Sequence, residues 1–208
     1  MIDFGGILIT LAIILVSMTL HELMHGVVAY WLGDTTAKED GRLTLNPLKH
    51  LDPIMSVALP LMLALMHAPI FGGAKPVPVD TRNLKGGVWG MALVALAGPL
   101  TNFILALVSF LVFWNTSGAV SEVALSAVTI NLGFMVFNLF PIPPLDGSRI
   151  VYAIAPDGVR GLMKNLEQYG LFIVYILLFI FGTAFSQIML GAINGVLKFF
   201  LLLVGAPV

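Results

Sequence analysis

Long apolar runs alternate with short polar links along the chain, and the runs set the elements to expect. The first extends from about Gly5 to Leu32, is broken only by His21, Glu22 and His25, and stops at Gly33-Asp34. At 1.5 Å rise per residue it makes a helix of roughly 42 Å, long enough to cross a bilayer with some tilt. It lacks the basic start and small-residue cleavage site of a signal peptide, so it is expected to be retained. Val88 to Trp114 and Glu122 to Phe140 predict two further crossings. Leu171 to about Val204 has the length of two helices, divided near Gly182 to Ser186. The polar stretch Asp157 to Gln168 predicts an interfacial helix.

The links are distinctive as well. In Asp34 to Asp52, Asp40-Gly41 is a hairpin turn signal between Thr35 to Glu39 and Arg42 to Asn46, and Arg42-Leu43-Thr44-Leu45 alternates at strand period. Ile54 to Ile70 is apolar but holds Pro60 and Pro69, and its roughly 17 residues sit at the bottom of the crossing range. Gly72 to Val79 is rich in glycine and proline and is expected to be extended or looping. The chain shows no internal repeat, so transporter-like pseudo-symmetry finds no support.

Composition fixes the solvent of this pattern. Of 208 residues 59% are hydrophobic, 10% are charged and none is cysteine, and mean hydropathy is +1.01. Ordinary globular domains carry about 25% charged residues, so the chain belongs in a bilayer. The expected fold is an all-α polytopic membrane protein of about five to six membrane helices, with one re-entrant segment and a small β-hairpin-like loop. Residues 1–208 are expected to form a single membrane-embedded domain, with a core over about 5–149 and C-terminal helices over about 157–205. A net charge of -1 with 10 basic residues offers no basic face for nucleic acid. Without cysteine, any metal must be held by nitrogen and oxygen.

His21-Glu22-Leu23-Met24-His25 is H-E-x-x-H inside an apolar helix, where residues four apart lie on one face. Two imidazoles so placed can grip one metal ion, while Glu22 can reach a water beside it as general base. The alternative, a polar helix-packing cluster, is disfavoured because each ionisable group at that depth costs several kcal/mol. Zinc catalysis wants a third protein ligand and an open position. Asn138-Leu139-Phe140-Pro141-Ile142-Pro143-Pro144-Leu145-Asp146-Gly147 ends a membrane helix with three prolines and places a carboxylate after the break. Irregular backbone at that depth survives where protein or a watery cavity satisfies it, so Asp146 is the candidate; the alternative is an ordinary turn with a solvated aspartate.

HELMH in the first membrane helix, NLFPIPPLDG after a later one, and Gly98-Pro99-Leu100-Thr101-Asn102 between them resemble the site-2 protease family of intramembrane zinc metalloproteases, in its short, compact branch. The resemblance covers Gly5 to about Arg149, and the G-P-x-x-N element is part of it. It implies a membrane-embedded metalloprotease domain with His21, His25 and Asp146 as ligands of one Zn2+, and Glu22 as base. The implied target is a peptide bond in or near the transmembrane segment of a membrane-protein substrate. By the same match Asn138 and Asn102 steady the site or the oxyanion, with interhelical hydrogen bonding as the alternative. The larger members' PDZ or CBS modules are not expected within these 208 residues.

Depth constrains topology. His21 lies roughly 24 Å along the helix from Gly5, past the midplane and toward Asp34 to Asp52. Asp146 meets it only if Ile54 to Ile70 dips in and returns. Lys38, Arg42, Lys49, Lys75, Arg82, Lys85, Arg149, Arg160 and Lys164 then share the motif side, nine of the 10 basic residues, while Asn115 to Ser121 opposite has none. The positive-inside rule makes that side cytoplasmic, so the expectation is a multi-pass cell-membrane protein with an outside N-terminus. A helical substrate must be unwound before attack, and Arg42, Leu43, Thr44 and Leu45, or Gly72 to Val79, could clamp it by strand addition; the alternative is a connecting loop. His50 is expected to be interfacial and His67 to end a helix. Trp31, Trp89 and Trp114 fall near membrane boundaries. A metal or proton transporter and a non-catalytic zinc-binding scaffold are the competing functions.

Overall fold

The computed structural model describes residues 4–66 and 72–206. Helices α1 (Phe4–Trp31), α4 (Val88–Asn115), α5 (Ala119–Asn138) and α9 (Gly182–Leu203) are each long and apolar enough to cross a membrane. Between them lie α2 (Thr36–Glu39), α3 (Leu59–Leu65), α6 (Asp146–Ile154), α7 (Asp157–Glu167) and α8 (Gly170–Ile180). The protein is an all-α, multi-pass membrane protein. The division of the C-terminal run falls at Phe181, and α8, with 11 residues, is roughly 16 Å long, half the hydrocarbon thickness. It follows α7 across an 88° bend, so this bent pair is the only fifth candidate crossing among the described residues.

α4 is the hub, packed against α1, α5 and α6. Ala106 and Phe110 of α4, Val128, Leu132, Met135 and Val136 of α5 and Phe200 of α9 form the larger apolar core. Ala29, Leu84 and Val94 form a smaller one where α1 meets α4. Trp31, Trp89 and Trp114 are exposed, as boundary residues should be.

The route from α1 to α4 decides which motifs share a face. Lys85 N–H donates to Leu32 O at 2.8 Å, so the end of α1 and the start of α4 lie together. A single full crossing between them would separate these groups by about 30 Å. Asp52 caps a widened helical turn over Pro53–Ala58, which leads into α3. Gly73 then returns to that turn's start: its N–H donates to Met55 O at 3.1 Å and its carbonyl accepts from Ser56 Oγ at 2.7 Å. Entry and exit are therefore at one level, as the re-entrant expectation requires; residues 67–70 of that segment, His67 included, lie outside the described residues.

The expected hairpin over Thr35 to Asn46 is corrected, since no strand occurs among the described residues. Asp34 Oδ1 accepts from the N–H and hydroxyl of Thr36, at 3.1 and 2.5 Å, and starts α2 where a strand arm was expected. Gly41, at φ 62°, closes that helix with Arg42 N–H donating to Ala37 O at 2.9 Å, so Asp40-Gly41 serves as a helix stop. Residues 42–45 turn instead of extending: Thr44 N–H donates to Arg42 O, and Thr44 O accepts from His50 Nε2 at 2.9 Å. His50, expected at the interface, is fully buried by this contact.

Candidate metal centre

His21 and His25 stand one turn apart on α1, both buried, with their Nε2 atoms 3.0 Å from each other. Three prolines after Asn138 withhold the N–H groups and the φ freedom that would continue α5, and the chain turns into α6 with Asp146 in its first turn. This places Asp146 Oδ2 at 3.2 Å from His21 Nε2 and 3.4 Å from His25 Nε2. Gly147 makes the approach feasible, because a Cβ there would overlap the carbonyl oxygens of Leu139 and Phe140.

The far sides of both rings set their protonation. His25 Nδ1–H donates to Val94 O at 2.7 Å and His21 Nδ1–H donates to Asn102 Oδ1 at 2.6 Å. In a neutral ring these bonds leave each Nε2 as a lone pair. Asp146 Oδ2 is buried and has no hydrogen-bond partner. Two ring nitrogens and a carboxylate oxygen thus converge within 3.0 to 3.4 Å of one another. Four-coordinate zinc with ligands at about 2.0–2.1 Å places neighbouring donors roughly 3.3 Å apart, so the set fits that ion. Gly98 of α4 lines the same space. A Cβ on it would lie 2.5 Å from His25 Nε2 and 2.6 Å from His21 Nε2.

Glu22 is half-buried, with a carboxylate oxygen within 4.8 Å of a ligand atom on each of the two histidines. Its Oε2 accepts from Val77 N–H at 3.1 Å, on an irregular strap that passes beside the site. Buried Arg42 donates to Lys75 O at 2.6 Å and Pro76 O at 3.3 Å, and Asp34 Oδ2 accepts from Asp80 N–H at 2.8 Å. Burial alone would raise the Asp34 pKa, but the bonds from Thr36, Asp80 and Asn83 outweigh it and hold the carboxyl below its ordinary value.

His21, His25, Asp146 and Glu22 are therefore brought together, and Asn102 joins them through the His21 ring. Asn138 does not: its amide donates to Phe134 O of its own helix at 3.0 Å, with no bond to the cluster. Arg42, Leu43, Thr44 and Leu45 present no strand edge; Arg42 instead holds the strap, and Leu43 packs beside Gly26 of α1. Asn131, which donates and accepts behind Asn102, is not marked by any motif, and neither are the Val94 carbonyl and Val77 N–H.

Known proteins are similar to this chain. The family model described as "Peptidase family M50" matches residues 115–181, which include the Asp146 motif. "Putative zinc metalloprotease YwhC" of Bacillus subtilis (strain 168) is 43% identical over 178 residues, 80% of this chain and 78% of that protein. "Putative zinc metalloprotease Rip2" of Mycolicibacterium smegmatis is 34% identical over 181 residues, 84% of this chain and 68% of the relative. No solved structure matches. With its paired histidine and aspartate motifs inside one helical membrane fold, and relatives aligned along most of their length, the chain belongs to peptidase family M50, the site-2 proteases.

Proposed function

We propose that the protein is an intramembrane zinc metalloprotease of the cell membrane, hydrolysing a peptide bond in or near the transmembrane segment of a membrane-protein substrate. The observation that carries this reading is the convergence of two imidazole nitrogens and an unpartnered carboxylate oxygen within 3.0 to 3.4 Å. Membership of a peptidase family and the zinc metalloprotease names of its relatives support it. His21, His25 and Asp146 would hold one Zn2+. When bound, the ion supplies Lewis acidity, polarising a peptide carbonyl and lowering the pKa of water toward about 7.

Glu22 does the proton work. With Oε2 held by Val77 N–H, its Oε1 takes a proton from the attacking water and returns it to the leaving amine. The irregular strap over residues 73–79 is where an unwound substrate backbone would be held, since it lies beside Glu22 and is pinned by Arg42 and Asp34. The segregation of nine of the 10 basic residues supports a cytoplasmic site and an outside N-terminus.

The test is co-expression with a candidate single-span membrane substrate, comparing the native chain with Glu22→Gln. Cleavage should fall by about 10²- to 10⁴-fold while zinc content is retained. Equal cleavage by both chains would discard the protease reading, and a zinc-dependent metal flux surviving Glu22→Gln would favour a transporter.

A further inference from the structure

Asn131 lies on α5, a helix that supplies none of the residues assigned above to metal or water, and it is 2% exposed. Its amide donates to Ala127 O at 2.9 Å. A backbone carbonyl can only accept, so this bond fixes which way the Asn131 amide points: NH2 to Ala127 and Oδ1 to α4. Oδ1 accepts from Asn102 Nδ2 at 2.9 Å, and Asn102, fully buried, then turns its own Oδ1 to His21 Nδ1 at 2.6 Å. An oxygen at that place requires an N–H opposite it. Reversing either amide would set like against like at two buried side chains, where an unmet polar group is costly.

We propose that Asn131 is a positioning residue for the metal centre: acting through Asn102, it holds His21 in the Nδ1–H tautomer so that Nε2 stays a ligand lone pair. The inference rests on the zinc-site reading above. His25 needs no such relay, because its Nδ1–H meets the Val94 carbonyl directly. His21 draws its polarity from a carbonyl two helices away, through two side chains that can each be substituted. A simple interhelical tie between α4 and α5 would use the same Asn102–Asn131 bond but would leave the imidazole protonation untouched.

The experiment uses the full chain in detergent, with zinc affinity read by chelator competition and imidazole ¹⁵N shifts read in the zinc-free protein. Asn131→Leu should weaken zinc about tenfold, the low end for an outer partner of a ligand, and shift His21 toward the Nε2–H tautomer. Added to Asn102→Leu, it should cost nothing more, because the relay is already cut. A folded Asn131→Leu with native affinity and an unchanged His21 tautomer overturns the relay. If that variant does not fold, the native spectrum decides: Nε2–H at His21 overturns the proposal and Nδ1–H supports it. Failure of the underlying zinc reading is separable, since it would show as zinc affinity unchanged by His21→Ala in the presence of a native Asn131.

Discussion

Gly98→Ala tests the metal centre without removing any polar group. The added methyl carbon would stand 2.5 Å from His25 Nε2 and 2.6 Å from both Cε1 and Nε2 of His21. Ordinary contact is about 3.5 Å, so the rings or the helix must give by roughly 1 Å, whereas a metal site tolerates about 0.2 Å. Neither ring can retreat freely, because His21 Nδ1 is held by Asn102 at 2.6 Å and His25 Nδ1 by Val94 O at 2.7 Å. Overpacking of this kind costs about 1–3 kcal/mol. Charged against binding at 1.4 kcal/mol per decade, it predicts zinc affinity lowered roughly 5- to 150-fold. Chelator competition on the detergent-purified chain reads this directly. Gly195→Ala on α9, where a Cβ would meet nothing within 4 Å, is the matched control. Native zinc affinity in Gly98→Ala would refute the placement of α4 against the two rings.

Asp146→Asn keeps the shape of the third donor but removes its charge, and should lower zinc affinity by at least about 100-fold with helicity by circular dichroism unchanged; full zinc occupancy would remove Asp146 from the ligand set. Asp34, held below its ordinary value of 3.8, stabilises the strap while ionised, so its contribution is complete above the ordinary carboxylate range and is lost as pH falls through the lowered value. Limited proteolysis within residues 73–80 should therefore rise at acid pH in the native chain, while Asp34→Asn should be cut already at neutral pH; an identical acid step in both would show that another group controls it. Reporters inserted at Gly118 and after Arg82 should read outside and cytoplasmic respectively, and the reverse would overturn the orientation.

The spans were legible because their causes are local. An apolar run interrupted only by His21, Glu22 and His25 makes α1, and a cluster of three prolines ends α5, whatever the rest of the chain does. The hairpin was misread because Asp40-Gly41 fits two structures equally well: a tight turn between strands, or the left-handed close of a helix. What decides between them is Asp34, whose carboxylate caps Thr36 and also holds Asp80, and Ala37, which is completely buried under the strap and α1. Both reasons lie outside the turn. The length of the C-terminal run similarly allows two helices but cannot say that the first bends 88° from α7 and has only 11 residues, too few to cross alone.

The candidate ligands on α1 announced themselves because charge inside an apolar helix is expensive and needs a purpose, and Asp146 because it follows a proline break at membrane depth. Their supports did not, since these depend on which faces of α1, α4 and α5 meet. Val94, Gly98 and Asn102 recur every four residues, so they line one face of α4 in the order acceptor, gap, acceptor. Because α4 runs antiparallel to α1, Val94 meets His25 and Asn102 meets His21, while Gly98 leaves the space between the rings clear. Pro99 interrupts the helical ladder at this same turn, where carbonyls must serve a neighbouring helix as well as their own. The G-P-x-x-N element is therefore one device: a helix face cut to the spacing of two imidazoles, which offers an acceptor to each outer ring nitrogen and leaves clear the space where the proposed cation would sit.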